Sequence, residues 1–491
     1  MSKFNSIDYL NDQIQKQYNN EVKTVHKNTL NFVPFNDELS IFSGEKYEKI
    51  HVLVNDTSIE GIQEHIKNQK FSYVDLLLYY LKRIKDKDHK YNSVLFLNPK
   101  ALTEAKNKMY NEDNHLIYGM PILVKGNIGI KGLPLTAGAA SLKNHIAKKD
   151  SELIKKMKEK GAIILGQTNL SEFANYMTTD SSNGYSAIGG QTKNPYGAFD
   201  VGGSSAGSAV AMAKGFAAAT IGTETAGSII YPATQNGVIG LKPTLGSVPQ
   251  DMIVPISQTH DIAGPMTKNA MDQWILLDTI SNRKIKEPQF SSDYLSKVKI
   301  GIIINEEIIE TFREADDYFL NQMKIKFIEK GAKVEKVKLN GELFKHDISD
   351  VLTYEFKEEI DKFFYKFFLN TEVNSLEKII KANKKDSENN APYGQDLLEE
   401  SMKNNFDSNK IKKLISEYQK KSSEIFKEAF TKYDFLLTIS NYMTTPYACS
   451  GNPAINFPIG LRKSGEPVGG TLIADKNKEE ELIEAICAYL S

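Results

Sequence analysis

The sequence predicts an α/β fold, and three stretches carry that expectation. Residues 121–124, PILV, form a short apolar run with strand character that ends at Lys125 and Gly126. Between Ala209 and Ala219 small residues dominate, with Ala211, Ala213, Ala217 and Ala218 among them, as in a buried helix followed by a strand. Residues 299–304, KIGIII, read as a buried strand, and FLNQMKIKFIEKGAKVEKVKL downstream reads as a helix and then another strand.

In chain order, residues 1–54 mix charged side chains with Phe32, Val33, Pro34 and Phe35 and with Ile41 and Phe42. They are expected to form an extension, an arm packed on the main domain, with an oligomer contact as the alternative. Thr57 with Glu60, and Ser72 with Asp75, fit capping boxes that open two helices. The second helix carries Leu76, Leu77, Tyr80 and Leu81 at helical spacing, a core face. Residues 169–191 read as a polar loop region. From about 340 to 435 the chain is rich in Lys, Glu and Phe. Its acidic residues balance the basic ones, and Phe363, Phe364, Phe367 and Phe368 fall on one helical stripe, so a core-covering helical insertion is expected rather than a nucleic-acid or membrane surface.

A length of 491 residues alone would suggest several domains. The 61 basic and 62 acidic residues leave a formal net charge of −1, so no bulk field points to nucleic acid or an anionic membrane. The N-terminus lacks the apolar core of a signal peptide and no run reaches the length of a membrane span, which makes a cytoplasmic protein the expectation. Two cysteines, Cys449 and Cys487, form no disulfide framework, and Cys449 has no histidine near it in sequence. The eight histidines are dispersed without HExxH spacing, and there is neither a CxxC pair nor a G-x-S-x-G elbow. A metallohydrolase and a Ser-His-Asp hydrolase are therefore disfavoured, and no cofactor is expected. His260 is read as structural.

The chemistry concentrates in residues 202–232, GGSSAGSAVAMAKGFAAATIGTETAGSIIYP, where two serine-bearing turns flank the small-residue run. The first holds Ser204 and Ser205, the second Ser228. A phosphate-cradling loop would need Lys and Ser or Thr after the last Gly, but Ser208 and Ala209 follow Gly207. A dinucleotide loop would need a preceding strand, and Asn194, Pro195 and Gly197 make that segment a loop. A tight structural turn remains the plain alternative. Lys125, ending an apolar strand, is a candidate for desolvation, which disfavours the ammonium and can leave a neutral amine able to act as a base. Acyl transfer needs a hydroxyl, a proton acceptor and donors for the oxyanion. Lys125, Ser204 and Ser228 could supply the first two, and the backbone N–H groups of Thr225, Ala226, Gly227 and Ser228 the third.

The motifs GGSSAGSA, GTETAGSIIYPA and PILVKGNI, continued by GVIGLKPTLGSV, VPISQTHDIAGPMTKN and GNPAINFPIGL, resemble the amidase signature family over roughly residues 55–280 and 435–491. GGQTKNPY, GTETAGSI and THDIAGPMT are more similar to its peptide-amidase branch than to the glutaminyl-tRNA amidotransferase subunit. The resemblance implies a central mixed β-sheet sandwiched by α-helices, in a single domain spanning 55–491 with the helical insertion roofing the active site. It also implies a Ser–cis-Ser–Lys triad, with Ser228 as nucleophile, Ser204 as bridge after a cis Gly203–Ser204 bond, and Lys125 as general base. Ser205 is the weaker candidate for the bridge, and Met177, Thr178 and Tyr185 are candidates for the pocket wall. Three positions depart from the family's commonest pattern. Ala226 stands where Gly is frequent, Gly126 where Asp often follows the Lys, and Ile230 where many members carry an Arg. The last argues for a neutral or apolar acyl group. The implied reaction is hydrolysis of a carboxamide through an acyl-enzyme; the alternatives are an amidotransferase subunit handing ammonia to a partner and a non-catalytic scaffold.

Overall fold

The computed structural model describes residues 7–19, 29–313 and 315–491. Among the described residues thirteen strands run in chain order as β1 (Val94–Leu97), β2 (Pro121–Lys125), β3 (Ile163–Thr168), β4 (Tyr185–Ser186), β5 (Gly190–Gln191), β6 (Ala219–Glu224), β7 (Ile239–Lys242), β8 (Ile262–Thr267), β9 (Lys299–Ile303), β10 (Lys333–Val337), β11 (Phe435–Ile439), β12 (Ala454–Leu461) and β13 (Pro467–Ala474). β4 and β5 pair with each other; the other eleven form one sheet in the order β1-β3-β2-β6-β8-β7-β12-β13-β11-β9-β10. The sheet is mixed: β2 runs parallel to β3 and β6, and β9 parallel to β10 and β11, whereas β6, β7 and β8 pair antiparallel.

Every residue of β2, β3, β6, β7, β8, β11 and β13 is buried, so helices must cover both faces. The small-residue run forms the buried helix Ala206–Ala213 followed by β6, as its composition predicts. Its one buried polar side chain explains where it lies: Ser208 Oγ sits 2.7 Å from Thr168 Oγ1 at the end of β3 and donates to the Ile221 carbonyl on β6 at 3.1 Å. KIGIII forms β9, followed by the helix Asp316–Glu329 and β10.

The expected capping box at Ser72 and Asp75 is present in full, each side chain bonding the other residue's N–H at 3.1 Å. The other expected box shifts by one residue. Ser58 caps the helix Ile59–Lys67 by accepting from the Gly61 N–H, while Thr57 Oγ1 donates back to the Leu53 carbonyl at 2.7 Å. Thr57 thus closes the preceding helix instead of opening the next.

Of the N-terminal extension, residues 1–6 and 20–28 lie outside the described residues. Phe35, Phe42, Tyr47, Ile50 and Val54 join the main apolar core. Between β10 and β11 the chain is helical, with Ser349–Phe368 and Ser408–Phe430 its longest members. Phe363, Phe364 and Phe368 are buried in a second core together with Phe173, Tyr176 and Met177, and Phe367 packs against it.

Candidate active site

Lys125 ends β2, and the parallel pairing of Val124 with Ile221 sets it beside Thr223 near the end of β6. Its side chain is 0% exposed. Nζ lies 2.8 Å from Ser204 Oγ, 2.9 Å from Thr223 Oγ1 and 3.1 Å from the Thr223 carbonyl oxygen. Burial pulls the amine down to about 7, against the opposing pull of the Asp261 and Glu224 carboxylates. An ammonium here has three acceptors for three protons. A neutral amine keeps both Thr223 contacts with its two N–H bonds and turns its lone pair to the Ser204 hydroxyl. Asn127 Nδ2 donates to Thr223 Oγ1 at 3.1 Å and holds that hydroxyl in place.

Ser204 is fully buried on the turn that leads into the helix Ala206–Ala213, and the Gly203–Ser204 peptide bond is cis. The carbonyl of Ser204 accepts the Ser171 N–H at 3.0 Å. Residues 173, 174 and 175 that follow Ser171 all take positive φ, at 49°, 55° and 78°. Ser205 is occupied structurally: its Oγ donates to the Thr223 carbonyl at 3.0 Å and accepts the Thr223 N–H at 3.2 Å. It faces β6, away from a bridging role, and its own N–H donates to the Ser228 carbonyl at 3.2 Å, tying the two serine turns together.

Ser228 is half-buried on the turn between β6 and the short helix Ile230–Gln235. Among the described residues no hydrogen bond ties its hydroxyl to Ser204, and none engages the N–H groups of Ala226, Gly227 and Ser228. Glu224 holds the far side of this turn, its Oε2 accepting the N–H groups of Ile229 at 2.7 Å and Ile230 at 3.0 Å. Thr225 Oγ1 donates to Asp261 Oδ1 at 2.6 Å, and Asp261 Oδ2 accepts from the backbone of Ile256 and Ser257. The left-handed conformation falls on Gly227, φ 91°, where an added Cβ would come within 3.2 Å of Thr444. Ala226 therefore needs no glycine. Gly126 is enforced by packing, since a Cβ there would lie 2.9 Å from Leu95 and 3.0 Å from the Thr168 carbonyl.

Of the pocket-wall candidates, Thr178 donates to the Tyr393 carbonyl at 3.1 Å, and the Tyr185 and Tyr393 rings meet edge-on at 4.8 Å. Met177 is buried in the second core with the phenylalanines of Ser349–Phe368. Ile230 is buried in the main core. His260 is buried, and the fold brings its Nε2 to 4.0 Å from Cys449 Sγ, a pairing invisible in the sequence around the cysteine. Burial pushes that thiol up to about 12 and the imidazole down to about 4, so both stay neutral. Sequence reasoning missed Thr223, Asn127, Glu224 and Asp261 as neighbours of Lys125 and of the two serine turns, although Thr223 and Glu224 stand inside GTETAGSI and Asp261 inside THDIAG.

The sequence profile of the Amidase family matches residues 75–447. The chain belongs to the amidase family, whose reaction is hydrolysis of the carboxamide C–N bond. Its structure superposes on a crystal structure of an amidase family protein from Bacillus anthracis with a TM-score of 0.87 and 32% identity, covering 93% of this chain and 94% of that one. The native peptide amidase of Stenotrophomonas maltophilia matches with a TM-score of 0.80 and 30% identity over 88% of this chain and 96% of that one. A glutamyl-tRNA(Gln) amidotransferase subunit of Alkaliphilus metalliredigens is 28% identical over 495 residues, covering 88% of this chain and 95% of that protein.

Proposed function

We propose that this amidase works through an acyl-enzyme on Ser228, with Ser204 relaying the proton to Lys125. Ser228 Oγ attacks the carboxamide carbon while its proton passes to Ser204 Oγ and the proton of Ser204 passes to the lone pair of Lys125 Nζ. The N–H groups of Ala226, Gly227 and Ser228 receive the oxyanion, and Thr225 anchors their turn to Asp261. The tetrahedral adduct collapses as the C–N bond breaks, and the departing nitrogen takes the proton back from Lys125 through Ser204. Water then attacks the ester by the same relay and releases the carboxylic acid. The observation that carries this reading is the buried Lys125 amine 2.8 Å from Ser204 Oγ, with both of its other partners supplied by Thr223.

The test is mass spectrometry after fluorophosphonate treatment. One adduct per chain mapping to Ser228, and none on Ser228→Ala, is expected. A folded wild-type protein that takes no label would remove the mechanism. The likeness to an amidotransferase subunit supports a second reading, in which the released ammonia passes to a partner. Ile230, apolar and buried at a position where the family resemblance implies an Arg in many members, counts against glutamine as substrate and for a neutral acyl group. A panel of glutamine, peptide amides, aryl amides and fatty-acyl amides separates the two, with turnover of glutamine alone favouring the second. Residues 55–491 are read as one domain, and the helices between β10 and β11, packed on residues 172–178, as an insertion roofing the site. No helix among the described residues is long and apolar enough to cross a membrane; a cytoplasmic location fits the two unpaired cysteines.

A further inference from the structure

The segment leading into Ser204 takes its outer partners from the beginning of the chain. The helix Ile7–Ile14 and the wider turn Gln15–Asn19 bury Leu10, Gln13 and Gln17, with Gln13 3% and Gln17 1% exposed. A glutamine buried so fully is held by what it bonds. Gln17 Nε2 donates to Asp200 Oδ1 at 2.7 Å, and its Oε1 accepts the Val201 N–H at 3.1 Å. Gln13 Oε1 accepts the Asn183 N–H at 2.7 Å, and the Tyr9 hydroxyl accepts from Asn183 Nδ2 at 2.9 Å. The Tyr18 hydroxyl accepts the Asn194 N–H at 2.9 Å and donates to the Gly197 carbonyl at 3.1 Å.

These contacts end on the two groups that locate the bridging serine. Asn183 forms the wall beside Gly203, where an added Cβ would lie 2.8 Å from its Oδ1, and Gly203 immediately precedes Ser204. Asp200 joins the two serine turns: its Oδ1 accepts the Gly202 N–H at 3.1 Å, and its Oδ2 accepts from the Tyr231 hydroxyl. Tyr231 in turn donates its N–H to the carbonyl of Gly227, the neighbour of Ser228, at 2.8 Å. Asn183 Nδ2 also donates to Asp200, at 3.2 Å, so the wall and the link are one network.

We propose that the N-terminal segment, through Gln17 and Gln13, is a positioning element of the active site that sets the Ser204 turn relative to Ser228. This rests on the relay reading above, since the distance between these two serines matters only if a proton passes between them. An arm serving stability alone would bury apolar side chains against the core, as Phe35 does. Here buried amides reach the carboxylate and backbone next to the relay.

The test compares Gln17→Leu and Gln13→Leu with Phe35→Leu, in the full chain. Each variant is measured for Tm, kcat and KM on an amide it turns over, and rate of fluorophosphonate labelling at Ser228. Gln17→Leu is expected to lower kcat and the labelling rate by about tenfold or more with KM nearly unchanged, because a relay misplaced by a fraction of an ångström loses rate without losing substrate contacts. Gln13→Leu moves in the same direction, and Phe35→Leu lowers Tm while labelling at the wild-type rate. Folded Gln17→Leu that labels as fast as wild type overturns the inference and leaves the relay standing. If Gln17→Leu does not fold, Gln13→Leu decides by the same criterion. An unlabelled wild-type enzyme overturns the relay and this inference together.

Discussion

In the proposed mechanism Lys125 is the residue on which the chemistry turns, and its surroundings serve both of its protonation states. As the ammonium it finds three acceptors; as the amine it keeps two donors on Thr223 and offers its lone pair to Ser204. Passing a proton across this contact needs no side chain to move, which is the preorganisation that proton transfer rewards. With the amine pulled down to about 7, the ammonium predominates at lower pH and cannot accept a proton, so kcat/KM should rise through pH 7 and level off above it. A profile flat to the acid unfolding limit would remove Lys125 as the base. Lys125→Ala should cost several orders of magnitude in kcat. Asp261 adds a sharper check. Its negative charge favours the ammonium, so Asp261→Asn should lower the Lys125 pKa and move the acid limb to lower pH. A limb that moves upward would contradict the assigned electrostatics.

Turns and helices hold these residues in place, each for a local reason. The turn bearing Ser228 is short because β6 ends at Glu224 and that same residue caps the next helical segment, its carboxylate accepting two successive N–H groups. Glu224→Leu leaves both donors buried without a partner, so a loss of about 1–3 kcal/mol is expected in denaturant unfolding, with a fall in kcat as the turn proposed to receive the oxyanion loosens. The helix Ser349–Phe368 works differently, through apolar packing on the loop that follows Ser171. Tyr176 meets Phe356 at 4.5 Å between ring centroids, and Phe364 is 1% exposed in the same core. Phe364→Ala is expected to cost about 3–5 kcal/mol of stability. Since no catalytic group touches Phe364, Ser228 labelling in the folded fraction should persist, and its loss would bring this helix into the site itself.

Across the whole molecule, the mixed sheet is what brings distant sequence together. Lys125 and Thr223 meet because β2 and β6 are parallel neighbours, and β8 flanks β6 to deliver Asp261 just before its first residue. These strands are buried over their full length in the interior of an eleven-stranded sheet, whereas β1 and β10 lie at its edges. Amide hydrogen exchange should therefore be slowest in β2, β6 and β8 and faster in β10, all five of whose residues are exposed or half-buried. Faster exchange in β6 than in β10 would contradict this ordering.

Local pattern and spacing were enough to give the buried helix and strand between the serine turns, the strand at KIGIII and the capping box at Ser72, and the family motifs added the mixed sheet sandwiched by helices. They also singled out Lys125, Ser204 and Ser228, since a lysine ending an apolar strand and serines on glycine turns are locally unusual. The partners of these residues came from long-range packing alone. Thr223 and Asp261 reach the site through the pairing of β6 with β2 and β8, Asn127 meets Thr223 across 96 positions, His260 meets Cys449 across 189, and Gln17 meets Asp200 across 183. The cap at Thr57 shifted to Ser58 for a related reason: its hydroxyl found the Leu53 carbonyl of the helix before. Local propensity is a property of a few neighbouring residues. The satisfaction of buried polar groups is a property of the whole packed chain, so it becomes readable only when the sheet has set which segments are adjacent.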